Sequence, residues 1–265
     1  MYNQELRGQK ELVLSADGTN TLFSKEFNEA YHSTKDGALH ESLEKHVKPA
    51  FLVKKGLEHL TILDICFGLG YNTFTTLYYI QQNQLNRKVH IFSPEFDKEL
   101  ISSLSTFVYP PQFNNLKHII KEISENFYYE DEQFKIEILL GDARKSIPKI
   151  KEKIDVVYQD AFSPKQNPLL WTREFFADIV KISKEDTLLT TYSTSASTRL
   201  GLYESGFSLY LNRAEGIRTS LVGSLKELDL FEPIDMELKK RRNPTAKSLR
   251  DRDYSDYNGL CGLPL

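Results

Sequence analysis

Asp160 follows an apolar, branched run at 154–158 and opens the segment Asp160-Ala161-Phe162-Ser163-Pro164-Lys165-Gln166-Asn167-Pro168-Leu169-Leu170-Trp171. A carboxylate leaving a buried strand, beside an aromatic ring and a proline-braced loop, is placed to hold an incoming nucleophile in line. It can orient a lone pair and accept or relay a departing proton. An amine gains most from such a partner, because only its neutral form attacks an electrophile. Asp160 could equally cap a turn, a common use of Asp after a strand. Phe162 and Trp171 read either as core residues or as an aromatic face for a substrate, and Lys165 as a solvated charge or a phosphate contact. No Ser-His-Asp or Cys-His grouping is evident, so covalent catalysis is not required. Six scattered histidines and two cysteines lack metal-ligand spacing, and no metal is expected.

A second series of residues could hold a nucleoside. Asp64-Ile65-Cys66-Phe67-Gly68-Leu69-Gly70-Tyr71-Asn72 follows the first strong apolar run and precedes a helical pattern. Glycines there let the backbone turn tightly and approach a ligand, and a helix N-terminus offers unpaired N–H groups. Glu95 ends the next run, where a carboxylate can accept hydrogen bonds from both hydroxyls of a ribose. Gly141-Asp142-Ala143 ends the third, a place for a carboxylate to meet an adenine amino group. Each element alone is weak; in series they match the carboxyl ends of strands, where open α/β sheets bind ligands. A dinucleotide fingerprint would place a third glycine where Asn72 stands. The set therefore suits S-adenosylmethionine better than a nicotinamide cofactor, since it serves ribose and adenine without a dedicated pyrophosphate cradle.

Positioning these groups requires a sheet. Apolar runs at 60–65, 89–92, 136–140, 154–158 and 187–192 alternate with segments long enough for helices, for example 71–84, 99–107 and 171–182. That alternation implies a mostly parallel sheet with helices on both faces. Runs at 207–211 and 220–225, with no long helix between them, imply an antiparallel hairpin at its edge. Ahead of the core, 11–14 and 21–24 flank Ala16-Asp17-Gly18-Thr19-Asn20 and predict a β-hairpin, and Leu39, Leu43, Val47 and Phe51 predict a helix interrupted near Pro49. We thus expect an N-terminal hairpin and helix over 1–55, a Rossmann-like core over 56–228 and a basic tail over 229–265, with turns at Asn243-Pro244 and Asn258-Gly259.

At 265 residues, with 40% hydrophobic and 27% charged residues, the chain can bury a sizeable core and is neither disordered nor membrane-spanning in composition. The N-terminus lacks a signal-peptide pattern, which predicts a cytoplasmic protein. The net charge of -3 argues against bulk coating of nucleic acid. It also averages over a segregated distribution: residues 239–252 hold seven basic side chains against Asp251. Such a segment is often a solvated end, and beside a nucleic-acid site it would contact phosphates.

The Asp160 loop resembles in outline the Asp-Pro-Pro-Tyr loop of amine methyltransferases. More specifically, four segments resemble the methyltransferase domain of the bacterial tRNA wobble-uridine modification enzyme MnmC. These are Phe27-Asn28-Glu29-Ala30-Tyr31-His32-Ser33 with Asp36-Gly37-Ala38-Leu39-His40-Glu41-Ser42; Phe67-Gly68-Leu69-Gly70-Tyr71-Asn72; the loop from Asp160 to Trp171, the most specific; and Thr191-Tyr192-Ser193-Thr194-Ser195-Ala196 with Arg199 and Gly206-Phe207. Cys66 stands where the family has a glycine and Leu69 where it has a threonine. Glu215 to Ser220 replace its basic stretch.

The resemblance implies a class I methyltransferase fold with a seven-stranded sheet. It implies transfer of methyl from S-adenosylmethionine to the amine of 5-aminomethyl-2-thiouridine at the tRNA wobble position. Asp160 would be catalytic. Tyr31, Glu41, Phe67, Gly68, Gly70, Asn72, Glu95, Asp142 and Ala143 would contact the cofactor, and Phe162, Lys165, Asn167 and Trp171 the base. The bifunctional form continues into a flavin-dependent oxidase, for which this chain has no room, so methylation alone is expected, coupled to a separate wobble-uridine modification enzyme. A polyamine aminopropyltransferase and a non-catalytic tRNA-binding protein of the same fold are the alternatives.

Overall fold

The computed structural model describes residues 9–255; the turn at Asn258-Gly259 and Cys261 lie outside them. The N-terminal hairpin pairs β1 (Lys10–Leu14) with β2 (Asn20–Ser24), and β3 (Glu29–Ala30) adds a third antiparallel strand. Asp17 holds the turn by accepting from the Thr19 N–H at 3.0 Å. The expected helix follows as α1 (Ala38–Ser42), a π turn at Leu43–Val47, and α2 (Lys48–Val53). The interruption falls just before Pro49, where the Lys48 N–H reaches back five residues to the Leu43 carbonyl. Proline has no N–H to continue an α-helical ladder, and the wider turn absorbs that discontinuity.

The core runs β4 (His59–Ile65), α3 (Tyr71–Gln82), β5 (Lys88–Glu95), α4 (Lys98–Ser103), α5 (Lys117–Asn126), β6 (Tyr128–Glu130), β7 (Phe134–Leu140) and α6 (Ala143–Ser146). It continues with β8 (Ile154–Gln159), α7 (Arg173–Ile182), β9 (Ser183–Thr191), α8 (Ala196–Glu204), β10 (Ser208–Asn212), β11 (Ser220–Ser224), β12 (Glu232–Pro233) and α9 (Met236–Arg242). The strands form one sheet in the order β12-β10-β11-β9-β8-β4-β5-β7-β6. The seven expected strands are all present. Two short ones, β6 and β12, cover the edges and bring the total to nine, and β11 lies antiparallel between β9 and β10.

Alternation along the parallel strands divides the core in two. Ile62, Val156 and Leu188 face one cluster, with Phe74, Leu77, Leu100 and Ile120. Their neighbours Leu63, Val157 and Leu189 face the other, with Phe175, Phe176 and Ile179. Helices cover both faces, which is why the strand sequences read as continuous apolar runs. Chain order reverses between β4 and β8, so a crevice opens at their carboxyl ends.

At the opposite end, buried Asp155 ties three strands together. It accepts from the Thr61 N–H at 2.9 Å and from the Lys184 ammonium at 2.8 Å. Asp155→Ala leaves the Thr61 N–H without a partner and should lower unfolding stability by about 1–3 kcal/mol, read as a lower urea midpoint at unchanged slope.

Candidate active site

The turn after β4 departs from ordinary backbone at three of five positions: Cys66 has φ 67°, Gly68 54° and Gly70 72°. Gly70 stands at the N-cap of α3, and a Cβ there would lie 2.5 Å from the Phe74 ring and 2.7 Å from the Phe67 ring. It is required for packing the turn, and it does not line the cavity formed there. Gly68 does. Its N–H donates to Glu95 Oε2 at 2.8 Å, and a Cβ would come within 3.1 Å of Tyr31. Glu95, at the end of β5, also accepts from the Asp97 N–H at 2.8 Å. Burial raises its carboxyl above the usual range against the pull of these N–H donors.

At the end of β7, Gly141 and Ala143 line the same cavity. The Asp142 side chain instead caps α6 through the Arg144 N–H at 2.9 Å and borders a neighbouring groove. Tyr31, Glu41 and Phe67 line the cavity. Glu41 is buried, accepting from the Ser33 N–H at 2.7 Å and from Lys45 at 2.7 Å.

Asp160 sits at the crevice between β4 and β8. Asn72, in the first turn of α3, lines the cavity and donates its amide to Asp160 Oδ2 at 2.8 Å, so it also holds the carboxylate. His46 in the π turn places Nε2 3.6 Å from Asp160 Oδ1, and its Nδ1 is 2.8 Å from Thr190 Oγ1 on β9. Burial would raise the Asp160 carboxyl, but His46, then His32 and Asn72, outweigh it and hold it below the ordinary range. Asp64 lies behind the same amide, 3.4 Å from Asn72 Nδ2, and accepts from Thr73 Oγ1 at 2.8 Å. Its burial, with Asp160 adding, pushes it up to about 7.

The loop after Asp160 is sorted by the structure. Phe162 lines the cavity, stacked on Phe27 at 4.4 Å and edge-on to Tyr31 at 4.9 Å. Asn167 lines it too, whereas Lys165 is exposed and outside the lining. Trp171 corrects the expectation of a base contact: its ring is fully buried against Phe176 and Tyr192, and its indole N–H donates to the Phe162 carbonyl at 2.7 Å. It pins the loop from beneath. Sequence reasoning missed His46, which carries no spacing signal, and Glu29, whose carboxylate accepts from the Ser163 N–H at 2.9 Å across the cavity wall.

These residues enclose about 330 Å³. His32 Nδ1, Asn72 Oδ1 and Asn167 Oδ1 are buried in its lining without a protein hydrogen-bond partner, which suits a polar ligand that supplies the missing bonds. Together with Glu95 and the Gly68 turn, this donor and acceptor set fits a charged nucleoside. Among the described residues no group of three His, Cys, Asp or Glu could hold a metal ion, and no helix is long and apolar enough to cross a membrane.

Comparison with known proteins agrees with the site. The family model described as S-adenosyl-L-methionine-dependent methyltransferase matches residues 112–226. The fold and crevice are those of a class I methyltransferase using S-adenosylmethionine. The crystal structure of MnmC2 from Aquifex aeolicus superposes with a TM-score of 0.81 at 35% identity, covering 92% of this chain and 79% of that one. The chain belongs to the MnmC methyltransferase family. An uncharacterised protein of Methanocaldococcus jannaschii is 32% identical over 237 residues, 87% of this chain and 63% of the relative. The tRNA 5-methylaminomethyl-2-thiouridine biosynthesis bifunctional protein MnmC of Pseudomonas entomophila is 25% identical over 201 residues, 70% of this chain and 30% of that one. The chain thus spans less than two thirds of either curated relative.

The raised Asp64 carboxyl has a measurable consequence. The folded protein keeps a proton that the unfolded chain releases near pH 4, so this group's contribution is full below that pH and is lost as pH rises to about 7. His32, whose burial holds it neutral below the ordinary imidazole range, acts in the opposite sense, so the informative quantity is a difference. Between pH 5 and 8 the ligand-free Asp64→Asn variant should gain stability relative to wild type as pH rises, by up to a few kcal/mol. Urea unfolding at stepped pH checks this.

Proposed function

We propose that this methyltransferase acts on the primary amine of 5-aminomethyl-2-thiouridine at the wobble position of tRNA, giving 5-methylaminomethyl-2-thiouridine. The observation that carries the reading is Asp160, a carboxylate kept ionised in a cavity wall and followed two residues later by the Phe162 ring. The names borne by bifunctional MnmC relatives point to the same nucleoside. Bound in the cavity, S-adenosylmethionine supplies a methyl group on a sulfonium, transferred as the N–C bond forms and the C–S bond breaks.

On this reading Glu95 accepts from the ribose hydroxyls, and the backbone of Gly68, Gly141 and Ala143 borders the cofactor with Tyr31, Glu41 and Phe67. Asp142, whose Oδ1 caps α6 through the Arg144 N–H, would meet the adenine with its other oxygen. Phe162, backed by Phe27, offers a face to the uracil, and Asn167 a polar contact. Asp160 holds the amine hydrogens, directs the nitrogen lone pair and receives the proton. A separate wobble-uridine modification enzyme would supply the aminomethyl group, and the reaction would take place in the cytoplasm, where tRNA is found.

The test incubates the protein with labelled S-adenosylmethionine and tRNA carrying 5-aminomethyl-2-thiouridine. Label should appear as the methylaminomethyl nucleoside. No transfer to that tRNA, with transfer of aminopropyl from decarboxylated S-adenosylmethionine to putrescine, would favour the polyamine reading instead. Asp160→Ala should lower kcat by about 10²–10³ while leaving cofactor affinity within a few-fold; a parallel loss of cofactor binding would move Asp160 to the cofactor site.

The described part of the basic tail, up to residue 255, belongs to the folded chain. Met236 of α9 is buried, Leu249 bridges Thr172, and Arg250 pairs with Glu174 at 2.7 Å. Lys239, Arg241 and Arg242 are exposed and would reach phosphates. Replacing these three with Ser should weaken tRNA binding and flatten its dependence on salt, with the fold intact; equal affinity and slope in a salt titration would remove the tail from the interface.

A further inference from the structure

We infer that His46 is the proton acceptor behind Asp160, receiving through that carboxylate the proton that the substrate ammonium must lose before methyl transfer. This rests on the reading that Asp160 faces an amine. The geometry assembles a directed pair. His46 is fully buried in the π turn, with its Nδ1 fixed by Thr190 Oγ1 at 2.8 Å and its ring edge-on to Tyr158, centroids 5.5 Å apart. Its Nε2 has no hydrogen-bond partner and lies 3.6 Å from Asp160 Oδ1. An unpartnered buried ring nitrogen next to a carboxylate at a cavity wall is expensive to keep for stability alone. It is what a proton relay requires.

Asp160 alone is poorly suited to the task, because the surroundings hold it ionised, and a carboxylate so held is a weak base. The base behind it is the His46 ring, whose Nε2 is unpartnered and faces the carboxylate. The groups facing His46 come from several elements. Asp160 approaches from the loop after β8, Tyr158 from β8 itself, and the Thr190 hydroxyl from β9. Asp64 on β4 and His32 on the N-terminal segment act at longer range. Helix α3 contributes Asn72 and carries no charged side chain.

The step balances as follows. The substrate ammonium gives one proton to the Asp160–His46 pair, leaving a neutral amine and an imidazolium beside a carboxylate. The amine takes the methyl group and becomes a secondary ammonium. Once product has left, the imidazolium returns its proton to water through Asp160, the route open to a ring with no exposed surface. One proton is released per methyl transferred.

His46→Asn keeps a polar atom near the Nδ1 position and removes Nε2. With aminomethyl-uridine tRNA as substrate, kcat near neutral pH should fall by about 10²-fold and recover as pH rises and the amine deprotonates unaided. KM and S-adenosylhomocysteine affinity should stay within a few-fold. A loss equal at all pH values, or no loss, overturns the relay. If His46→Asn does not fold, Thr190→Val tests the same idea by freeing the ring, and an unshifted pH profile for it is the contrary result. A readout independent of turnover separates this inference from the assignment of substrate. In ligand-free protein the Asp160 carboxyl carbon, followed by NMR, should titrate at higher pH in His46→Asn than in wild type. Were wild type inactive on this tRNA while that shift appeared, the substrate would be wrong and the pair intact; an unmoved Asp160 titration would overturn the pair itself.

Discussion

A carboxylate that must stay charged while buried is the constraint around which this site is built. Asp160 is only 8% exposed at its side chain, and an isolated ion in such surroundings would give up its charge. It is kept ionised by the Asn72 amide and the His46 imidazole, which come from different parts of the fold. Asn72 is aimed by the start of α3, and that start is fixed by the left-handed cap at Gly70. The turn that borders the cavity therefore also positions the carboxylate in its wall. Asp64 completes the arrangement from the other side of the same amide. Two carboxylates so placed cannot both ionise cheaply, and in the deeper one, Asp64, burial outweighs the donors around it, so it holds its proton up to about pH 7.

The N-terminal segment is a wall of the same site. Glu29 accepts from the Ser163 backbone, Phe27 stacks on Phe162, and Tyr71 donates to the Asn20 carbonyl at 2.7 Å. Behind that wall Lys45 lies between Asp36 at 3.0 Å and Glu41 at 2.7 Å, all three side chains less than a tenth exposed. A buried triad of this kind is weak evidence for stability, since an apolar replacement often serves as well. Its effect here is positional: it neutralises Glu41 where that residue lines the cavity and fixes the helix whose next turn presents His46.

How much of this could be read in the sequence depends on whether the determining interaction is local. The strands were legible because both sheet faces are covered, so pairs such as Ile62 and Leu63 are both apolar. The glycine turn was legible because positive φ at 68 and 70 demands it, although Cys66 shows that the demand is not absolute. Asp160 was legible from its place after a buried strand. Trp171 misled because a tryptophan ending a polar loop looks like a recognition surface, while its indole hydrogen bond to Phe162 turns it inward. Asp142 was legible as a carboxylate at a strand end, and its local cap on α6 competed with the longer-range role. His46 was illegible: its partners Thr190 and Asp160 are more than a hundred residues away, and nothing in the helix around it announces them.

The charges around the cavity also bear on which amine it receives. Of the four acids that line it, Glu41 is paired with Lys45, and Glu95 accepts from two backbone N–H groups and on the proposed reading also meets the ribose, which leaves Asp160 and Glu29 for an amine. Glu29 is already engaged by the Ser163 N–H. At the rim stand Lys35, exposed, and Arg218, two thirds exposed and 3.5 Å from Asp36. A polyamine carries several positive charges and would have to pass these cations to reach two carboxylates that already have protein partners. A single amine on a polyanionic strand would meet the opposite field: its phosphates would be drawn to the rim, and its one ammonium needs only one carboxylate within. The distribution of charge between rim and floor thus favours a nucleic-acid amine over a free polycation, even though the chain as a whole carries a net charge of -3.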